Sequence, residues 1–132
     1  MEFLSENNDY TISININKSI YTTFYTFKFI NNLGRVVKEI LISKSDILIL
    51  LDNIETCFYY NYDSIYTNID SSKGNILFGI QNELDIYTGY KRIYLVVDEY
   101  IQDSLQRIIK IEVSNTIDNF LYLLTNLPDL YD

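Results

Sequence analysis

From Tyr10 to Asn17 apolar and polar residues alternate without a break, Tyr10, Ile12, Ile14 and Ile16 against Thr11, Ser13, Asn15 and Asn17. A period of two predicts a strand with one face in a core and one in water. Ile20 to Ile30 predicts a second strand, with Tyr21, Tyr25, Phe27 and Phe29 on one side and Thr22, Thr26 and Lys28 on the other. Asn31-Asn32-Leu33-Gly34 then predicts a hairpin turn, because Asn and Gly tolerate positive φ. In the next segment Val36, Val37, Ile40, Leu41 and Ile42 place apolar groups on both faces, which predicts a strand buried on both sides.

The period changes after Ile42. Ser43-x-x-Asp46 resembles a capping box, with Ser45 an alternative cap. Ile47, Leu50, Leu51, Ile54 and Phe58 follow helical spacing, while Asp46, Asp52, Asn53 and Glu55 lie off that stripe. The strand–helix unit Arg35–Ile54 has an echo at Arg107–Leu127. There Ile109, Ile111 and Val113 alternate with Lys110 and Glu112, Asn115 or Thr116 caps, and Ile117, Phe120, Leu121 and Leu124 form a helical stripe closed before Pro128. The arginines are 72 residues apart, whereas the stripes Ile47/Leu50/Leu51/Ile54 and Phe120/Leu123/Leu124/Leu127 align at 73, a slip that fits equally a β-bulge in a duplicated unit or two ordinary strand–helix units that merely look alike.

Between the two units, Phe58 to Asp63 leads into the polar segment 64–75, expected to be a long connection. Ile76–Gln81 predicts a short strand, with Gly79 at a bulge or close approach. Leu84–Tyr90 allows another strand, and Arg92–Ile101 predicts a strongly favoured one. The expectation is a single α+β domain over residues 1–132. It has two β-β-β-α halves, a possible pseudo-repeat of residues 10–60 and 75–127, a mainly antiparallel sheet and two helices packed on it.

Composition narrows the chemistry. The 132 residues are 48% hydrophobic and suit one core, and no run approaches the length of a membrane helix. The polar, acidic start MEFLSENNDY is unlike a secretory or transit sequence, and Cys57 stands alone, so a reducing cytoplasm is the expected setting. There are 18 acidic and 10 basic residues for a net charge of −8, spread over both halves. That disfavours direct nucleic-acid binding, which needs clustered Lys and Arg, and favours a basic partner.

With no histidine, the commonest general base, triad member and metal ligand is missing. Cys57, next to Phe58 on an apolar stripe, is expected to be a buried small hydrophobe rather than a nucleophile. No phosphate-loop or nucleophile-elbow motif occurs. The run Asn68-x-Asp70-x-Ser72 has alternating oxygen ligands, but Lys73 and Gly79 stand where a calcium loop needs Gly and Glu. The chain is therefore expected to be no enzyme and to need neither cofactor nor metal. A hydrolase built on the pairs Glu83/Asp85 or Asp98/Glu99 is the remote alternative.

Aromatic residues beside acids remain as candidate chemistry. Tyr59, Tyr60, Tyr62 and Asp63, then Asp85, Tyr87 and Tyr90, then Asp98 and Glu99, combine rigid contact area with negative charge, and tyrosine is enriched at interfaces. A compact, acidic chain without catalytic motifs resembles toxin-immunity and phage anti-CRISPR proteins in general character. The resemblance implies an inhibitor, working in the cytoplasm of a bacterial or virus-infected cell as a nucleic-acid mimic against a basic nuclease, toxin or CRISPR effector. The alternative is a non-catalytic assembly module, with the chain a monomer or a homo-oligomer such as a homodimer.

Overall fold

The computed structural model describes residues 1–60, 63–71 and 74–131. The fold is α+β with two antiparallel four-stranded sheets and two helices. The first sheet is the meander β1 (Glu2–Leu4), β2 (Tyr10–Lys18), β3 (Thr23–Asn31) and β4 (Val36–Ser43), followed by helix α1 (Lys44–Tyr60). The second is β5 (Ser64–Ser71), β6 (Gly74–Leu84), β7 (Lys91–Ile101) and β8 (Ser104–Glu112), followed by α2 (Ile117–Thr125). Each half thus holds four strands and a helix, one strand more than the periodicity predicts.

Register carries the period of two into a core. Ile12, Ile14 and Ile16 lie opposite Phe29, Phe27 and Tyr25, and Ile40 and Ile42 lie opposite Phe27 and Tyr25, so one face of the first sheet is apolar across three strands. In the second sheet Ile80, Leu95 and Ile111 align, as do Phe78, Val97 and Ile109. The apolar faces meet where the Phe78 ring stands edge-on to Phe27 at 6.0 Å and tilted against Phe29 at 5.7 Å. The helices cross over between the halves. The first helix packs on β5 and β6, with Asn53 Nδ2 donating to Thr67 Oγ1 at 2.9 Å. The second lies against the first sheet, where Phe3 meets Phe120 at 5.1 Å and the Tyr25 hydroxyl donates to the Pro128 carbonyl at 2.6 Å.

Three sequence expectations change. Val36, Val37 and Leu41 are exposed, so β4 is an edge strand with one buried face and not a strand buried on both sides. Residues 64–71 pair with β6 as a full strand, because Ile65 and Ile69 alternate with polar residues that read as loop composition. The expected strand Leu84–Tyr90 does not form: Leu84 ends β6, and residues 85–90 are the β6–β7 hairpin tip, closed by Asp85 N–H to Tyr90 O at 2.8 Å.

A bulge does not set the two halves apart by the expected one residue, because each half has one. Phe29 pairs with Lys38 but Ile30 with Val36, leaving Val37 as an extra residue in β4. Val97 pairs with Ile109 but Asp98 with Arg107, leaving Ile108 extra in β8. Each half therefore carries a bulge in its last strand, a free edge that a bulge protects from further pairing. The buried helix positions Ile47, Leu50, Ile54 and Cys57 correspond to Ile117, Phe120, Leu124 and Leu127 at an offset of 70, not 73.

Candidate functional site

Three segments converge at one end of the molecule. The last turn of α1 ends in Tyr59 and Tyr60, both exposed. Asn82 of β6 ties that turn to the second sheet, its Nδ2 lying 3.4 Å from the Cys57 carbonyl and 3.3 Å from Cys57 Sγ. The Asn82 N–H donates to the Asp63 carbonyl at 2.7 Å, which places Asp63 beside the start of the hairpin. Asp63, Asn82, Leu84, Gly89 and Lys91 line a cleft of about 340 Å³ here. Beyond it the hairpin tip projects Ile86, 80% exposed, and Tyr87, 93% exposed, with Leu84 and Tyr90 at its base.

Asp85 shapes this tip. Its Oδ1 accepts the backbone N–H of Tyr87 at 2.9 Å and of Thr88 at 3.3 Å, an Asx-turn that leaves Gly89 at φ +71°, where a glycine is favoured. These two amides, aided by the Arg92 charge, hold the Asp85 carboxyl below its ordinary range. Ile86 and Tyr87 are thereby presented on an ordered turn. Cys57 beneath the cleft is fully buried, and burial pushes its thiol up, as a small core hydrophobe should behave.

Of the residues singled out from sequence, Tyr59, Tyr60, Asp63, Asp85, Tyr87 and Tyr90 come together at this end. Tyr62 lies outside the described residues. Asp98 and Glu99 sit seven and eight residues along β7 from Lys91, more than 20 Å away at the strand rise, and neither is a free surface charge. Asp98, 4% exposed, faces outward from the second sheet and takes Arg107 Nε at 2.8 Å and Nη2 at 3.3 Å. Arg107 also donates to Gln81 Oε1 at 2.9 Å and to the Tyr66 hydroxyl at 3.3 Å, and the bonded Asp98 raises its pKa further. Glu99 points inward and pairs with Lys38 Nζ at 2.8 Å across the two sheets. Asp98 and Glu99 thus lie apart from this end, and each carboxylate is paired: Asp98 with Arg107, nine residues on across the β7–β8 hairpin, and Glu99 with Lys38, 61 residues away in sequence.

Glu83 is likewise paired, with Lys110 Nζ at 2.7 Å, and Lys110 stands 4.3 Å over the Tyr94 ring. Among the described residues no group of three or more Cys, Asp and Glu is placed to hold a metal ion, and no helix is long and apolar enough to cross a membrane.

Sequence reasoning missed a second exposed tip. Ile20-Tyr21-Thr22 forms the β2–β3 hairpin end, the counterpart in the first half of Ile86-Tyr87-Thr88, and Ile20 and Tyr21 are both more than nine-tenths exposed. Ser19 Oγ accepts the Thr22 N–H at 3.1 Å and closes this turn. Ile-Tyr-Thr stands at both tips but also at Ile65-Tyr66-Thr67 within β5, so the triplet is no signal by itself, and Tyr21 also continues the alternation of the strand that follows. Beside this tip lies a groove of about 400 Å³ lined by Thr22, Thr23, Phe24, Ser43, Lys44, Ser45 and Leu48. No known protein family matches the chain, and no curated protein sequence matches it.

Proposed function

We propose that this protein is a non-catalytic inhibitor that acts by docking its aromatic end on a basic, nucleic-acid-handling protein. The observation that carries the reading is the ordered tip at 85–90, where Ile86 and Tyr87 protrude from an Asp85-closed turn next to Tyr59, Tyr60 and Asp63. Protruding tyrosine and isoleucine on a preorganised turn lose little entropy on binding, the property expected of anchor residues. The charge of −8 supports a basic partner by steering the encounter. A phosphate-like carboxylate strip forms no part of the proposal, since Asp98, Glu99 and Glu83 are internally paired. The mode is an apolar anchor assisted by net charge, in the cytoplasm of the cell that makes the target.

Affinity capture in the native cells with three chains tests this. A basic protein is expected with the wild type, is lost with Ile86→Ser/Tyr87→Ser, and is kept with Leu41→Ser on the distant β4 face. With the purified partner, the tip variant should bind at least tenfold more weakly and binding should weaken with salt. Equal capture by wild type and tip variant, or no basic protein bound at low salt, overturns the reading.

A further inference from the structure

We infer that two copies of this chain join antiparallel along their β5 edges, each β5 adding a strand to the second sheet of the other.

Among the described residues the sheet edges are β1 and β4 in the first sheet and β5 and β8 in the second. An edge strand offers a row of N–H and C=O groups to any further strand, and folded proteins blunt such rows with short strands, charges, prolines or bulges. Three of these edges are blunted. The strand β1 has only three residues. Strand β4 has its bulge at Val37 and carries Lys38 and Glu39, and β8 has its bulge at Ile108 and carries Arg107, Lys110 and Glu112. The fourth edge is open. Strand β5 runs for eight residues against β6 with no break in register, and Ser64 to Ile69 holds neither a charged residue nor a proline.

The ladder fixes which groups are on offer. The Asn82 N–H donates to the Asp63 carbonyl, so Asp63 and Asn82 form a hydrogen-bonded pair. Such pairs alternate along an antiparallel ladder. Ile65, Thr67 and Ile69 therefore turn their backbone groups to Ile80, Phe78 and Ile76 of β6, while Ser64, Tyr66 and Asn68 turn theirs to the edge.

Side chains follow the same alternation. Thr67 and Ile69 are buried on the inner face, where Asn53 of α1 meets Thr67, and Ser64 and Asn68 are exposed on the outer one. An added strand must match that division. The β5 of a second copy does so, because its own edge groups belong to Ser64, Tyr66 and Asn68. Paired antiparallel, those residues of the two chains face one another, and Ile65, Thr67 and Ile69 come together on the inner face. A slip of one residue is barred, since it would set against the edge groups that already serve β6. The contact also buries no charge, although the chain carries −8.

An antiparallel pair of identical strands has two-fold symmetry, so the contact consumes both edges and growth stops at the dimer. A single strand pair is a small interface, which sets the association in the micromolar range. Asp63 flanks the edge in both copies, so salt should strengthen this contact, whereas it weakens docking on a basic protein. No other partner is needed, and failure here would leave the inhibitor reading standing.

Sedimentation velocity on the full chain, from micromolar to near-millimolar concentration, tests it. The mean mass should rise to twice the 15.6 kDa chain mass and no further. Asn68→Pro removes an N–H that points to the edge and not to β6, and Asn68→Lys sets a charge there, so each should weaken the dimer by about tenfold or more. Leu105→Lys on β8 should leave it unchanged. Far-UV circular dichroism checks the fold of each variant. Hydrogen exchange on the wild type reads the same contact without a substitution: the Tyr66 and Asn68 amides should exchange more slowly as concentration rises, and the Thr67 amide, already held by β6, should change little. A wild type that stays monomeric, a dimer indifferent to both Asn68 substitutions, growth past a dimer, or edge amides whose exchange ignores concentration overturns the inference.

Discussion

Arg107→Ala tests directly whether Asp98 is a structural carboxylate. The wild-type guanidinium meets both Asp98 oxygens, at 2.8 and 3.3 Å, and the carboxylate's side chain is 6% exposed. Removing one partner of a fully buried ion pair costs about 3–5 kcal/mol, because the remaining charge is left desolvated and unpaired. The Arg107 side chain is 37% exposed, so water enters the space it vacates and part of that cost is recovered. Gln81 and Tyr66 also lose a donor, each worth about 0.5–1 kcal/mol at a partly wet site. The net expectation is about 2–3 kcal/mol of lost stability.

At this chain length that corresponds to a fall in Tm of about 6–12 °C. Asp98→Asn keeps the shape and removes the charge, and should cost about 1 kcal/mol. The double variant should show a coupling of about 1–2 kcal/mol with the single ones. Urea titrations followed by tyrosine fluorescence and far-UV circular dichroism measure all three. A loss below about 0.5 kcal/mol for Arg107→Ala, or no coupling, would show that Asp98 is an ordinary solvated acid, and its removal from the candidate surface would be refuted.

Gly79→Ala should destabilise by about 2–4 kcal/mol, since a Cβ there would collide with the Ile65 carbonyl and lie 2.8 Å from Tyr66 Cα. A near-neutral result in denaturant titration would contradict the packing of β5 on β6. Phe78→Ala removes the ring between the sheets and should cost about 3–5 kcal/mol, read as a lower urea midpoint. A cost near 1 kcal/mol would mean that the sheets do not pack through it. The Asp85 carboxyl is held below its ordinary range in the folded state, so its support of the tip is complete above the unfolded value near pH 4 and drains away as pH falls through the lower folded value. The Tyr87 and Thr88 amide resonances should titrate with that depressed midpoint; an ordinary or raised one would contradict the Asx-turn. The buried Cys57 thiol is pushed up, so its contribution is complete below the unfolded value near pH 8.5 and lost as pH rises through the folded one. Alkylation of native protein at neutral pH should be far slower than that of a peptide thiol, and peptide-like rates would contradict its burial.

The local elements, and the apolar face of most of them, follow from the order of residues alone. Ile12, Ile14 and Ile16 alternate, Tyr25, Phe27 and Phe29 answer them on the neighbouring strand, and Ile47, Leu50 and Ile54 recur at helical spacing. The α+β class and the burial of Cys57 followed from such neighbours, because side-chain direction in a strand or helix repeats with a fixed local period. Tertiary structure decided what lies beyond a residue's own element. Val36, Val37 and Leu41 became exposed because nothing among the described residues covers the outer face of β4, a fact no local pattern contains. The polar composition of 64–71 concealed a strand, since pairing with β6 and the burial of Ile69 outweighed weak β propensity.

Candidate surface acids were sorted in the same way. Asp63 and Asp85 stay exposed at the end where Tyr87 projects, whereas Arg107 claims Asp98 and Lys38, 61 residues away in sequence, claims Glu99. Sequence spacing set the direction of each carboxylate relative to its own strand. Which cation it would meet depended on the bulged β7–β8 register for Asp98 and on the closing of the two sheets over one core for Glu99.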